Sequence, residues 1–287
     1  MEVAKNKLTV KTQRNDLLKL FAMFTMLIDH VGVSFFPNLL IFRSIGRLAL
    51  PIFAYQLAIG YSKTSNLKQY SKRLFIFALI SQVPYTFLGY QYGMEICPFQ
   101  LSVMFTLLLS LGVMHVYDKG IEHISCFRKE KSYKVLLLGI LIFIGLCLII
   151  IAPEILNKIT DGKINFEYSF YLLLMVLLFH INHDKKILMV LSYTILSIIC
   201  AYIIGVQMIS RFLEKTLEFS CALKMMTKNG AFFKLDGYFF QVRSIFAFIP
   251  IFIFESFKTE FKLNKYVGYW FYPAHMAILI MISWIIK

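Results

Sequence analysis

Met26-Leu27-Ile28-Asp29-His30-Val31-Gly32-Val33-Ser34-Phe35-Phe36-Pro37-Asn38-Leu39-Leu40-Ile41-Phe42-Arg43-Ser44-Ile45-Gly46-Arg47 decides how this chain folds. Two long apolar runs, 17–37 and 39–61, meet at Pro37-Asn38. Each has the roughly 20 residues that a helix needs to cross about 30 Å of hydrocarbon. Neither run alternates apolar with polar residues, and both are too long for barrel strands. A two-residue turn makes the two helices antiparallel neighbours. Four ionisable side chains, Asp29, His30, Arg43 and Arg47, then lie inside an otherwise apolar hairpin.

The pattern repeats outward from the hairpin. Further spans read as 73–90, 100–117, 134–152, 168–182, 186–206, 238–256 and 266–286, the sixth span of the chain being the shortest. The apolar set makes up 59% of 287 residues, charged residues only 16%, and mean hydropathy is +0.69. One soluble core of this size cannot hide so much apolar surface. The expected fold is all-α: a single domain, 1–287, built as a polytopic transmembrane bundle of about nine helices, range 8–10.

The formal charge of +14 would point to nucleic acid in a soluble protein. Here the basic residues fall between spans, so no nucleic-acid partner is expected and the partner is the lipid bilayer. Lys and Arg concentrate at 1–16, 62–73, 118–134, 183–186 and 257–265, all on one side of the bundle. The positive-inside rule makes that side, and the N-terminus, cytoplasmic. The first sixteen residues show no cleavage site before the first span, which is expected to stay in place. The 118–134 stretch reads as a charged, solvated loop. The long 207–237 stretch is expected outside, with Arg211, Glu214, Lys215 and Glu218 forming the polar stripe of an interfacial helix. Cys97, Cys126, Cys147, Cys200 and Cys221 lack paired spacing, so neither a disulfide nor a metal is expected.

A charge at a helix centre costs at least about 2.5–3.5 kcal/mol on insertion scales, so intramembrane charges mark pairing or chemistry. Counting from the turn at 1.5 Å per residue, Asp29, His30, Arg43 and Arg47 all sit about 8–14 Å deep. Arg43 and Arg47, four apart, are expected to share a helix face. One arginine can pair with Asp29, leaving the other and His30 available; a plain buried salt bridge accounts for the same residues. Lys19 and His30 fall on one helix face, about 16 Å apart. In the last span Tyr269, Tyr272 and His275 form one polar-aromatic stripe interrupted by Pro273. Gln82 and Pro84 suggest a kink with a polar lining in the third span, and Gln100 and Ser102 suggest caps of the fourth. Arg243 is expected to snorkel.

Several motifs carry a family resemblance. They are Leu18-Lys19-Leu20-Phe21-Ala22-Met23, then Met26-Leu27-Ile28-Asp29-His30-Val31-Gly32 with Phe35-Phe36-Pro37, and Ile45-Gly46-Arg47-Leu48-Ala49-Leu50-Pro51-Ile52-Phe53-Ala54-Tyr55. Gly60-Tyr61, Tyr70-Ser71-Lys72-Arg73-Leu74, Ile80-Ser81-Gln82-Val83-Pro84, Val103-Met104-Phe105-Thr106-Leu107 and Tyr269-Trp270-Phe271-Tyr272-Pro273-Ala274-His275 follow. Together they resemble the TraX family of membrane proteins over about 15–115 and 238–282. Glu167-Tyr168-Ser169 stands where members often show Asp-Tyr-Gly, and Ser102 where Asn is common. The family's named role is N-terminal acetylation of pilin in conjugative transfer. It is more distantly similar to acyltransferase family 3 and the heparan-glucosaminide acetyltransferases, which use a histidine in an early helix. In acyltransferase family 3 a basic residue precedes that histidine with the spacing shown by Lys19 and His30.

The resemblance implies acyl transfer from cytosolic acetyl-CoA to an exported peptide, a pilin or a glycan, in the bacterial inner membrane. His30 is then the expected general base, with Arg43 or Arg47 as oxyanion or phosphate ligand and Asp29 as the residue that fixes an arginine. Lys19, Tyr70, Lys72 and Arg73 are expected on the donor side, and Gln82, Tyr269, Tyr272 and His275 on the acceptor side. Two other readings fit the intramembrane charges: a proton-coupled transporter or flippase, and a noncatalytic partner of a conjugation or secretion complex.

Overall fold

The computed structural model describes residues 15–91, 97, 99–212, 221, 224, 225, 237–257 and 261–286. α1 (Asp16–Phe35) starts where the Asn15 side chain accepts a hydrogen bond from the Leu18 amide at 3.0 Å. That bond satisfies one of the orphan amides of the first turn. The helix stops short of Pro37, which cannot continue it. α2 (Leu40–Gly46) and α3 (Ala49–Lys63) follow. Next come α4 (Leu67–Gln91), α5 (Val103–Glu130), α6 (Tyr133–Ile159), α7 (Ser169–Asn182) and α8 (Lys186–Phe212). A 3-10 segment (Gly237–Ala247) leads into α9 (Phe248–Ser256), and α10 (Lys265–Ile286) ends the described chain. Two short strands, β1 (Gln100–Leu101) and β2 (Asn165–Phe166), pair in parallel.

α1, α6, α10 and the Lys186–Val206 part of α8 are each long and apolar enough to cross a membrane. α6 shows why no aqueous fold would serve. Leu137, Leu141, Ile144, Leu148 and Ile151 are all exposed along it. In water such a stripe forfeits about 25 cal/mol per Å² of apolar surface; against lipid it costs nothing. The chain is therefore an all-α, membrane-spanning bundle.

The backbone forms two compact units. One holds α4 to α7, α10 and α3 from Ala54 onward. Its core contains Val113, Leu146, Ile150, Leu173 and Leu177, drawn from α5, α6 and α7. α5 and α6 approach closely at Gly120, where an added Cβ would lie 2.8 Å from the Phe143 ring. The other unit holds α1, α2, α8, the 3-10 segment and α9. There α1 packs on α2 and α9, and α8 packs on the 3-10 segment.

Three expectations need correction. The second span is not one helix: it breaks at Arg47-Leu48, between α2 and α3. The last span before α10 is also composite, a 3-10 segment followed by the short α9. Hydropathy reports what a segment can be dissolved in and is blind to such breaks. The 118–134 stretch is mostly helix, because α5 runs on to Glu130 and only Lys131-Ser132 link it to α6. Charges ended the apolar run there without ending the helix, which Lys119 and Glu122 support with an ion pair at 3.1 Å. Lys131, at φ 50, supplies the left-handed stop. Glu214, Lys215 and Glu218 of the expected interfacial helix lie outside the described residues.

Leu173 is fully buried and Leu141 faces outward. Leu173→Ala should cost about 2–5 kcal/mol in detergent. Leu141→Ala should cost less than about 0.5 kcal/mol. Thermal unfolding of the two purified variants checks the assignment; equal losses would contradict the core described here.

Candidate functional site

In the unit built on α1 and α2, the hairpin charges form a bonded group. Arg43 Nη1 donates to both oxygens of Asp29, at 3.2 Å each. The Asp29 side chain is 14% exposed and that of Arg43 35%, so the carboxylate is the buried partner. Two glycines make the approach possible. A Cβ on Gly46 would lie 2.5 Å from Asp29 Oδ1, and one on Gly32 would lie 2.9 Å from Phe42 Cγ. Gly46 is thus the space that Asp29 occupies.

Arg47 goes elsewhere. It caps α2, and its Nη1 donates to Gln241 Oε1 on the 3-10 segment at 2.9 Å. The helix break is the reason that Arg43 and Arg47 do not act as one face. Asp29 still feels the charge of both arginines. Arg243 does not snorkel; it donates to the Ser44 hydroxyl of α2. Ser244 shares a hydrogen bond of 2.6 Å with Tyr193. Gln241 Nε2 is buried with no hydrogen-bond partner among the described residues. His30 is half-buried on the α1 residue after Asp29, about 100° around the helix from it, and Lys19 is half-buried near the start of the same helix.

The remaining expected residues belong to the other unit. Tyr70 packs its hydroxyl against Gly60, where an added Cβ would lie 3.2 Å away. The Arg73 guanidinium stands 5.9 Å from the Tyr70 ring centre, and Lys72 is exposed. α4 runs as helix through Pro84. Gln82 Nε2 donates to the Gln100 carbonyl at 2.7 Å, and its Oε1 accepts from the Ser102 amide at 3.1 Å. Gln82 therefore pins the β1–α5 junction to α4. On α10, Tyr269 stacks on Phe77 at 5.0 Å, while Tyr272 and His275 are buried. His275 Nδ1 lies 2.7 Å from the Phe271 carbonyl, so that nitrogen carries the proton.

Two clusters escaped the sequence reading. The first surrounds Glu167. Its carboxylate accepts from the Val103 amide at 2.9 Å, at the first turn of α5. Its amide donates to the Leu101 carbonyl at 3.0 Å and its carbonyl accepts from the Thr106 hydroxyl at 2.8 Å. Tyr85 and Tyr272 lie within electrostatic range of Glu167 and Tyr168. Ser102 is the N-cap of α5, but its hydroxyl caps nothing. Tyr168 and Ser169 hold φ of 60 and 38, a left-handed backbone that favours glycine. The departure from Asp-Tyr-Gly was the available signal.

The second cluster joins three helices. Asp118 accepts from the Tyr61 hydroxyl and from His180 Nε2, both at 2.8 Å. The rings of Tyr61 and Tyr117 stand edge-on to His180, at 5.1 and 6.2 Å. Burial pushes the Asp118 carboxyl up, but the His180 hydrogen bond and charge, the Tyr61 hydroxyl and the His115 charge hold it below its ordinary value.

Against known proteins, the family model described as TraX protein matches residues 14–283. The chain is 33% identical over 117 residues to an uncharacterized protein of Rickettsia prowazekii (strain Madrid E). That match covers 41% of this chain and 40% of the relative's length. No solved structure matches.

Gly46→Ala should displace Asp29 and cost about 1–3 kcal/mol, the usual range for overpacking. Thermal unfolding reads the cost, and an unchanged midpoint would contradict the close approach. Asp118 gives a pH signature. A carboxyl depressed in the folded state stabilises above its unfolded pKa of about 3.9 and loses that contribution as pH falls through the folded value. Asp118→Asn should therefore be less stable than wild type above about pH 5, with the gap closing below pH 4. A gap that widens with acid would reverse the sign.

Proposed function

Since the chain belongs to the TraX family, we propose that it is an integral membrane acyltransferase. It moves an acetyl group from cytosolic acetyl-CoA to an amine or hydroxyl acceptor, such as the N-terminus of an exported peptide or pilin, or a glycan. The observation that carries this reading is an Asp29–Arg43 pair fixed inside an apolar hairpin, with His30 on the next residue of α1. Intramembrane ionisable groups are functional by default. The reading places the protein in the bacterial inner membrane with the N-terminus in the cytosol and about nine crossings.

The chemistry divides as follows. His30 takes a proton from the acceptor as its nitrogen or oxygen attacks the thioester carbonyl. An imidazole is the side chain most often used for such a proton transfer. A guanidinium stabilises the oxyanion. Asp29 holds Arg43 in place, so Arg47 is the better candidate for that donor. Collapse of the intermediate breaks the carbon–sulfur bond. The departing thiolate takes the proton back from His30. Lys19, Tyr70, Lys72 and Arg73 are proposed ligands of the CoA phosphates. Gln82, Tyr269, Tyr272 and His275 keep a proposed role on the acceptor side, where Gln82 and His275 act by holding backbone in place.

Thermal unfolding with and without acetyl-CoA tests donor binding without knowing the acceptor. At 100 times its Kd the ligand should stabilise the protein by about 2.7 kcal/mol. Wild type should show the shift and a Lys72→Ala/Arg73→Ala variant should lose it. No shift in folded wild-type protein at millimolar acetyl-CoA would sink the enzymatic reading in favour of a transporter or an assembly partner. Given binding, His30→Gln should abolish labelled acetyl transfer while leaving the shift intact.

A further inference from the structure

α5 and α6 pack as an antiparallel pair, and of the two only α6 is apolar enough to cross a membrane. Their register is fixed at several points. An added Cβ on Gly120 would lie 2.8 Å from the Phe143 ring, and one on Gly139 3.4 Å from Ile124. The rings of Tyr117 and Phe143 stand 6.0 Å apart, and those of Phe127 and Tyr133 6.4 Å. Val113 shares one buried cluster with Leu146 and Ile150. Lys119 is therefore level with Ile144 of α6, His115 with Leu148, and Gly112 with Ile151.

At these levels the two helices expose opposite chemistry. α6 carries no charged or hydrogen-bonding side chain other than the Cys147 thiol over 135–152. That stretch is about 27 Å of helix, close to the thickness of the hydrocarbon core. Ile144, Leu148 and Ile151 are each about half exposed. α5 instead exposes Gly112, His115, Lys119 and Glu122. Steps of three and four put these on one face, in a stripe about 15 Å long. No heavy atom lies within 4 Å of a Cβ built on Gly112, so the stripe is open at its deep end. Asp118 borders it with a side chain 45% exposed, while bonding Tyr61 and His180. Charge at membrane depth is met by protein or by water, not by lipid. Lys119 and Glu122 bond each other at 3.1 Å and are still about half exposed, so protein does not cover them.

We infer that this face of α5 lines a water-filled vestibule, which enters from the cytosolic end of the α5–α6 hairpin and admits hydrophilic cytosolic molecules as far as the Asp118 carboxylate and Gly112. The hairpin thus separates two solvents, with lipid against α6 and water against α5. The side on which the vestibule opens rests on the membrane orientation proposed above. The wetness of the face rests neither on that orientation nor on acyl transfer.

The test is thiol labelling of the full chain in membrane vesicles with 2-sulfonatoethyl methanethiosulfonate, an anionic reagent that does not cross lipid. Cys97, Cys126, Cys147, Cys200 and Cys221 are replaced by alanine. Single cysteines then enter as Gly112→Cys, His115→Cys and Lys119→Cys, and at matched levels as Ile144→Cys, Leu148→Cys and Ile151→Cys. The α5 set should label at least about tenfold faster than the α6 set, because apolar surroundings suppress the reactive thiolate. It should do so in inside-out vesicles and not in sealed right-side-out ones. Wild type supplies a measurement without any substitution: its own Cys147, exposed on α6, should resist the reagent. Fast labelling of both sets, or of native Cys147, would put the hairpin in water and overturn the vestibule. Slow labelling of both sets, in variants that unfold at the parent's midpoint, would mean that lipid or a second chain covers α5, and would overturn it equally. Labelling of the α5 set only from the opposite side would overturn the cytosolic opening together with the proposed orientation. The acetyl-CoA shift is measured separately, so loss of the vestibule and loss of the acyl-transfer reading are told apart.

Discussion

Hydrocarbon offers a polar group no partner, so a charge or a broken backbone turn at membrane depth must be met from within the protein or by water it admits. Asp29 meets that demand with Arg43, and two glycines bring the helices close enough for it. Asn15 meets it at the start of α1 and Gln82 at the β1–α5 junction. Each solution takes a side chain that could not stay in lipid alone and gives it a fixed geometry. The polar groups of the bundle are thereby also its best-positioned ones.

The same constraint bears on irregular backbone. Regular helix satisfies itself; a break does not, and is tolerated at membrane depth only against protein or water. In the unit built on α1 and α2, the break at Arg47-Leu48 and the 3-10 segment adjoin each other. Arg47 bonds Gln241, and Arg243 bonds Ser44. Side chains at the break and in the 3-10 segment thus cross-link the two stretches. This pairing accounts for polar residues in both segments without treating either as a defect.

Legibility in the sequence followed the range of the interaction. Pro37-Asn38 fixed the depth of residues on either side of it, so the charged hairpin could be read directly from spacing. The fate of Arg47 could not, because it depends on a helix ending one residue earlier and on Gln241, far away in the chain. The helical character of 118–130 was hidden because charge was taken as the end of a span, although helices tolerate Lys and Glu well. Glu167 and Asp118 were invisible for another reason. Their partners come from elsewhere in the chain: Val103 and Thr106 of α5 for one, Tyr61 and His180 for the other. No local pattern announces such a meeting, apart from Glu-Tyr-Ser standing where glycine is usual.

The contact between Asp29 and Gly46 also constrains how relatives of this chain can diverge. Any side chain at 46 competes for the volume of the carboxylate at 29. A lineage cannot drift at 46 while the aspartate remains, and loss of the aspartate first would strand Arg43. Three positions on two helices are thus tied to one another. Across distant homologues they should be inherited as a block or exchanged together, however freely the lipid-facing residues around them turn over.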